Sequence, residues 1–194
     1  MLLNQSMGLS RTGEGHAADT QVLHTANDHL FLLYSNTKIL MATALWVLRD
    51  QGKLQFSDRV ADHLPAFAAH GKQDVTLLQL ITHQAGFPDA DVPAALWSDH
   101  ARILQTVCAF DLQWTPGSRV HYHGLSAHWV LAMVIEAITG MDFRAAVTQL
   151  VIEPLGLADD LFMGLPSSQS HRFAYLYEPD ASASNGQRLR GEST

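Results

Sequence analysis

Tyr34–Gly52 reads YSNTKILMATALWVLRDQG, and the reading of this stretch decides the fold. Leu40, Ala44, Val47 and Leu48 recur at helical spacing. Ile39, Met41, Leu45 and Trp46 put apolar groups on the remaining faces, so the spacing predicts a helix buried nearly all round. Arg49 and Asp50 fall in its last turn, and Gly52 is placed to cap it. Ser35 lies one turn ahead of Lys38, which sets a hydroxyl and an amine on one face. Ser35 also lies at the helix start, where unpaired backbone N–H groups favour developing negative charge. A nearby base and an electropositive cradle are two requirements of an activated nucleophile. A Ser-x-x-Lys spacing also arises by chance, so the pair alone does not decide the chemistry.

Working outward, Leu30–Leu33 is a short apolar lead-in, and residues 1–30 hold at most short strands, around Met1–Leu3 and Gln21–His24. Beyond Gly52 a helix start is expected near Ser57–Asp58. Thr76 reads as the N-cap of LLQLITHQ, which Gly86 stops. Residues 87–100 read as a loop, with Asp89, Asp91 and Asp99 on a solvated face. Ala101–Phe110 reads as a short amphipathic helix. Leu125–Gly140 reads as a second long apolar helix, and a further helix runs from Asp142 to Ile152, ended by Pro154. Arg172–Leu176 is expected to be a strand, and the polar stretch from Glu178 to Thr194 to hold no element. The helical region thus covers about 58–160 of a single domain, 1–194. No sheet large enough to back the Ser35 helix is apparent, which is unusual for a nearly all-apolar helix.

With 194 residues the chain can bury a sizeable core, and 47% hydrophobic with 16% charged residues is an ordinary globular balance. The net charge of −7 argues against nucleic acid or an anionic membrane as principal partner, since both require a basic footprint. No apolar run approaches a membrane span. The N-terminus lacks the basic start and long apolar run of a secretory signal, so a cytoplasmic location is the default expectation. Cys108 is the sole cysteine. It excludes an internal disulfide and a cysteine-rich metal site, and its apolar neighbours suggest a packed thiol.

Tyr122 follows a Pro–Gly turn and precedes a long buried helix. An ammonium favours the phenolate, so a tyrosine held by a lysine could take a serine proton and return it to a leaving group. Packing is the competing role. His121, His123 and His128 cluster around it, and an alternating His-x-His could bind a metal, although no nearby acid or thiol completes a set. Trp46 and Trp129 read as core.

Three patterns occur in order: SNTK at 35–38, LLQLITHQAGFPD at 77–89 and PGSRVHYHGLSAHWVLAMVIEAITG at 116–140. Together they resemble the serine β-lactamase-like family, and most nearly its class C β-lactamases, DD-peptidases and esterases. EPLGLADDLFMGLP at 153–166 and RFAYLYEP at 172–179 extend the likeness to roughly residues 30–180. The resemblance implies an α/β (α+β) fold, of which this chain carries mostly the helical subdomain and the nucleophile helix. By position it makes Ser35 the acylated nucleophile, with Lys38 and Tyr122 the coupled base and acid. It makes the Ser35 N–H one oxyanion donor and His83 a structural residue of its turn. It also puts the 87–100 loop beside the substrate cleft, so that Phe87 and Trp97 either touch an acyl group or pack.

Two departures bear on substrate. The family's Tyr-x-Asn is Tyr122–His123–Gly124 here, so the side chain that usually meets a substrate amide is missing at Gly124. The Lys-Thr-Gly or His-x-Gly strand motif does not occur. The expectation is therefore a truncated member: a serine hydrolase acting on small carboxylic esters, with β-lactam or peptide amides second. It would need no cofactor and no metal. Two other classes stay open: a non-catalytic remnant that binds a ligand through the same cleft, and a histidine-based metal binder.

Overall fold

The computed structural model describes residues 5–12, 22–179 and 187–189. The chain forms two compact units, Ser35–Leu157 on the one hand and Met1–Tyr34 with Ala158–Thr194 on the other.

In the Ser35–Leu157 unit, a 3₁₀ turn over Tyr34–Asn36 runs into helix α1, Thr37–Asp50. Helices α2 (Val60–His63), α3 (Leu77–Ile81), α4 (His100–Cys108), α5 (Ser126–Thr139) and α6 (Phe143–Val147) follow, and a π turn over Thr148–Ile152 extends α6. The ends form where local chemistry predicts. At α3, Thr76 and Gln79 make a reciprocal capping box. Asp99 caps α4 by accepting from Arg102 N–H, and Asp142 caps α6 by accepting from Arg144 and Ala145. Gly52, at φ 71°, closes α1. Its N–H donates to Arg49 O while Lys53 N–H donates to Leu48 O, the paired bonds of a Schellman stop.

The helix surrounded on its sides is α5, not α1. α5 packs against α1, α2, α3, α4 and α6 and buries Ala127, Val130, Leu131, Ala132, Met133, Val134 and Ile135. α1 buries only Met41, Ala44, Leu45 and Leu48, one stripe at i, i+3, i+4, i+7. Ile39 and Trp46 are 64% and 49% exposed. All-round burial of α1 is thus corrected: its partners in this unit, α5, α6 and the π turn, meet one stripe. Trp46 is likewise not core; it rests edge-on against Phe56 with the Arg49 guanidinium over its ring.

Polar groups inside the unit are paired across elements. Lys72 is fully buried and donates to the carbonyls of Ala69 (3.0 Å), Cys108 (3.0 Å) and Phe110 (2.5 Å), so it binds the carbonyl end of α4. Cys108 is a packed thiol, as expected, its pKa pushed up by burial. Glu136 of α5 accepts from His100 Nδ1 (2.6 Å) and from Phe143 N–H at the start of α6 (2.9 Å). Arg144 donates to His100 Nε2 and to Asp142. His100, Glu136 and Asp142 have the residue types of a metal set, but the Arg144 guanidinium already bonds His100 Nε2 and Asp142 while Glu136 takes His100 Nδ1, so they read as an ion network joining α4, α5 and α6.

In the other unit, β1 (Leu9–Thr12) pairs antiparallel with β2 (Val22–His24), and β3 (Tyr177–Pro179) with β4 (Gln187–Leu189). The expected Gln21–His24 strand is present as β2, while Met1–Leu3 lies outside the described residues. Arg172–Leu176 is not a strand. A 3₁₀ helix over Ser167–Arg172 ends there, and only Phe173 makes a bridge, to Leu30. The Arg172 guanidinium holds that end, donating to Asp28 O, Asp159 O and the Asp160 carboxylate. The β3–β4 pair corrects the expectation of a C-terminal stretch without elements; three-residue strands are too short to show an alternation. Among the described residues no helix is long and apolar enough to cross a membrane.

Candidate active site

The 3₁₀ turn sets Ser35 just ahead of the first turn of α1, directly after Tyr34, whose φ is 48°. Lys38 follows one turn later and donates from Nζ to Ser35 Oγ at 3.2 Å. Tyr122 reaches the same point from a segment 87 residues away, with its Oη 2.5 Å from Ser35 Oγ. The Lys38 ammonium is also 5.1 Å from the centre of the Tyr122 ring. Hydroxyl, amine and phenol therefore meet at one place.

The electrostatics favour a proton acceptor. The Tyr122 phenol is held below the usual tyrosine range, first by its hydrogen bond to Lys38, then by that to Ser35; burial opposes them, and the charge of Lys38 adds a smaller push downward. A short hydrogen bond to a phenol poised to ionise is the geometry of proton transfer from Oγ to Oη. Lys38 donates to Ser35 Oγ and, through its own hydrogen bond and charge, also favours the Tyr122 phenolate.

The wall behind Tyr122 is built from α3 and the turn that follows. Gly86, at φ 96°, would place a Cβ 2.6 Å from Trp114 O. Its carbonyl accepts from Gln113 N–H, and Gln84 O accepts from Gly117 N–H. The turn is thus stitched to the chain leading to Tyr122. Gly86→Ala is expected to cost about 2–4 kcal/mol, since backbone meets backbone at a left-handed φ. A urea titration of parent and variant measures it.

His123 is fully buried. Its Nε2 accepts from Phe87 N–H at 3.2 Å and its Nδ1 donates to His121 O at 2.7 Å. Both ring nitrogens are engaged, so the His121-x-His123 pair is not a chelate here, and burial lowers the pKa of His123. Phe87 is a packing residue. Its ring is fully buried among Phe67, Phe110 and His123, which corrects the expectation that it touches an acyl group. Gly124 is the opposite case: a Cβ built there meets nothing within 4 Å. Trp97 bonds to Val92 O and packs on Trp129, which in turn packs on Phe143.

Two residues beside the site carried other readings in the sequence, His128 as one of a histidine cluster around Tyr122 and His83 as a structural residue of its turn. His128, on α5, has a buried Nδ1 without a partner among the described residues, and its pKa is lowered to about 3, by burial first and then by Lys38 and His83. His83 sits against the Tyr122 ring at 4.9 Å between centres. The signal for His83 lay in its place after α3, where a glycine would be usual.

The chain is 28% identical over 176 residues to a putative D-alanyl-D-alanine carboxypeptidase of Escherichia coli (strain K12), covering 84% of this chain and 40% of that protein. It is 30% identical over 161 residues to the esterase/beta-lactamase LipL of Mycobacterium tuberculosis (strain ATCC 25618 / H37Rv), covering 79% and 36%. It spans about two fifths of these curated relatives. Among solved structures, a family VIII carboxylesterase superposes with a TM-score of 0.73 at 34% identity, over 82% of this chain and 44% of that one. The Beta-lactamase family profile matches residues 3–193, running through both units. By that match the chain belongs to the beta-lactamase family and shares its fold.

Proposed function

We propose that the chain carries the nucleophilic half of a serine hydrolase acting on small carboxylic esters. The observation that carries this reading is the 2.5 Å contact between Ser35 Oγ and Tyr122 Oη with Lys38 Nζ 3.2 Å from the same oxygen. Oγ attacks the ester carbonyl and gives its proton to the Tyr122–Lys38 pair. The tetrahedral oxygen forms at the positive end of α1, where the Ser35 N–H is a donor. Collapse expels the alcohol, which takes the proton back from Tyr122. Water, deprotonated by the same pair, then releases the acid and regenerates Ser35. No cofactor enters these steps.

The preference for esters over β-lactam or peptide amides rests on Gly124. A site built to bind an amide holds a partner for its polar atoms, and the open space at Gly124 supplies no side chain for it. The family VIII carboxylesterase supports this; LipL, named both esterase and beta-lactamase, fits either substrate class, and the carboxypeptidase name supports the amide alternative. The α/β class and the single-domain reading rest on the family, because each ladder here has two strands. A nitrophenyl-ester assay tests the proposal. A burst of nitrophenol stoichiometric with protein is expected, absent in Ser35→Ala. No burst from the parent would favour a chain that binds without turnover.

A further inference from the structure

His83 occupies a backbone position that should belong to glycine. α3 ends in paired bonds, His83 N–H to Leu80 O and Gln84 N–H to Gln79 O. These place His83 at the residue that turns left-handed, and its φ is 60°. A side chain is disfavoured there, and glycine would stop the helix as well. A strained residue held in such a position points to a task that its side chain performs.

The contacts of His83 show the task. Its carbonyl accepts from His121 N–H at 3.1 Å, and its ring Nδ1 accepts from His123 N–H at 3.2 Å. The backbone is therefore gripped one residue before and one residue after Tyr122. The ring lies 4.9 Å from the Tyr122 ring and 6.0 Å from that of His123. Tyr122 itself is half exposed, and its hydroxyl meets Ser35 Oγ at the far end of the ring from this clamp.

We propose that His83 is a positioning residue for Tyr122: carbonyl and ring nitrogen clamp the chain on both sides of it, and the ring backs the phenol so that Oη stays on Ser35 Oγ. This rests on the reading of Tyr122 as the base of a serine hydrolase. The clamp requires Nδ1 unprotonated. Burial, then the charge of Lys38, lowers the pKa of His83 accordingly, the other ionisable groups around it being Tyr122, His123 and His128.

Two variants test it in the full chain. His83→Gly keeps the left-handed turn and the carbonyl but deletes the ring. His83→Asn tolerates the turn and offers an amide oxygen to His123 N–H. Fluorophosphonate labelling of Ser35 is followed by intact mass. The Tyr122 phenol is titrated by near-ultraviolet absorbance with Tyr122→Phe as blank. His83→Gly is expected to fold with unchanged helicity, yet to label about tenfold to a hundredfold more slowly, as a misplaced group does. Its phenol should titrate higher, toward ordinary tyrosine. His83→Asn should stay within about threefold of the parent in labelling. Parental labelling and titration in His83→Gly would overturn the proposal, because glycine would then supply all that His83 does. If His83→Gly fails to fold, loss of labelling in a folded His83→Asn overturns it instead. A parent that takes no label removes the hydrolase reading; the phenol titration still decides the clamp, an unmoved value in His83→Gly counting against it.

Discussion

Tyr122→Phe is expected to slow acylation of Ser35 by about a hundredfold to ten-thousandfold, the span that a positioned general base contributes. The deleted atom is the one 2.5 Å from Ser35 Oγ. The ring, its contact with His83 and the backbone clamp all remain, so the fold should be unaffected. In the proposed mechanism the reacting base is the phenolate, whose pKa is lowered first by the hydrogen bond to Lys38 and then by that to Ser35. Acylation by the parent should therefore rise with pH through that lowered value and level off above it. Lys38→Met removes the cation, so the rising limb should move to higher pH, and each unit of displacement is a tenfold loss at a fixed pH below it. Stopped-flow acylation by a nitrophenyl ester across pH, in parent and both variants, reads these effects. A Tyr122→Phe rate within threefold of the parent would show that Lys38 alone takes the proton.

The second large effect is on stability in acid. Burial, with smaller contributions from Lys38 and His83, lowers the folded pKa of His128 from 6.5 to about 3. In the unfolded chain it protonates near its ordinary value. Between these two values the unfolded state binds the extra proton, so stability rises with pH across that window. The contribution is fully present above about pH 6.5 and is lost progressively as pH falls toward 3, reaching on the order of 4 kcal/mol at the acid end. His128→Leu removes the titration together with a buried Nδ1 that has no partner among the described residues. It is expected to match or slightly exceed the parent at pH 7 and to lose markedly less stability by pH 4. Urea midpoints at several pH values measure it; curves that fall in parallel would mean that His128 is not the group responsible.

These effects also show what could be read from the chain. Ser35, Lys38 and Tyr122 were legible because an ordered set of patterns carries them, and because a serine one turn before a lysine must share a face with it. Thr76, Asp142, Gly52 and Gly140 marked helix ends because capping is local chemistry. Partner-dependent features were not legible. α1 and α5 are both apolar on most faces, and only tertiary contact distinguishes α1, with its one covered stripe, from α5, which is enclosed. Phe87 and Trp46 exchange expected roles for the same reason, one fully buried and one half exposed. His123 suggested a metal ligand as part of His-x-His, yet its nitrogens are taken up by Phe87 and His121, and the Phe87 contact crosses 36 residues of chain. Lys72, which no local pattern singles out, closes a helix end from 36 residues away.

The central claim is that Ser35 becomes covalently acylated with help from Tyr122 and Lys38. The most direct measurement is the mass of the intact chain, and then of its Ser35 peptide, after brief exposure to a fluorophosphonate. One phosphonyl group on Ser35 in the parent is expected, with none in Ser35→Ala and far slower addition in Tyr122→Phe. Label carried by any other residue, or undiminished in Ser35→Ala, would contradict the account.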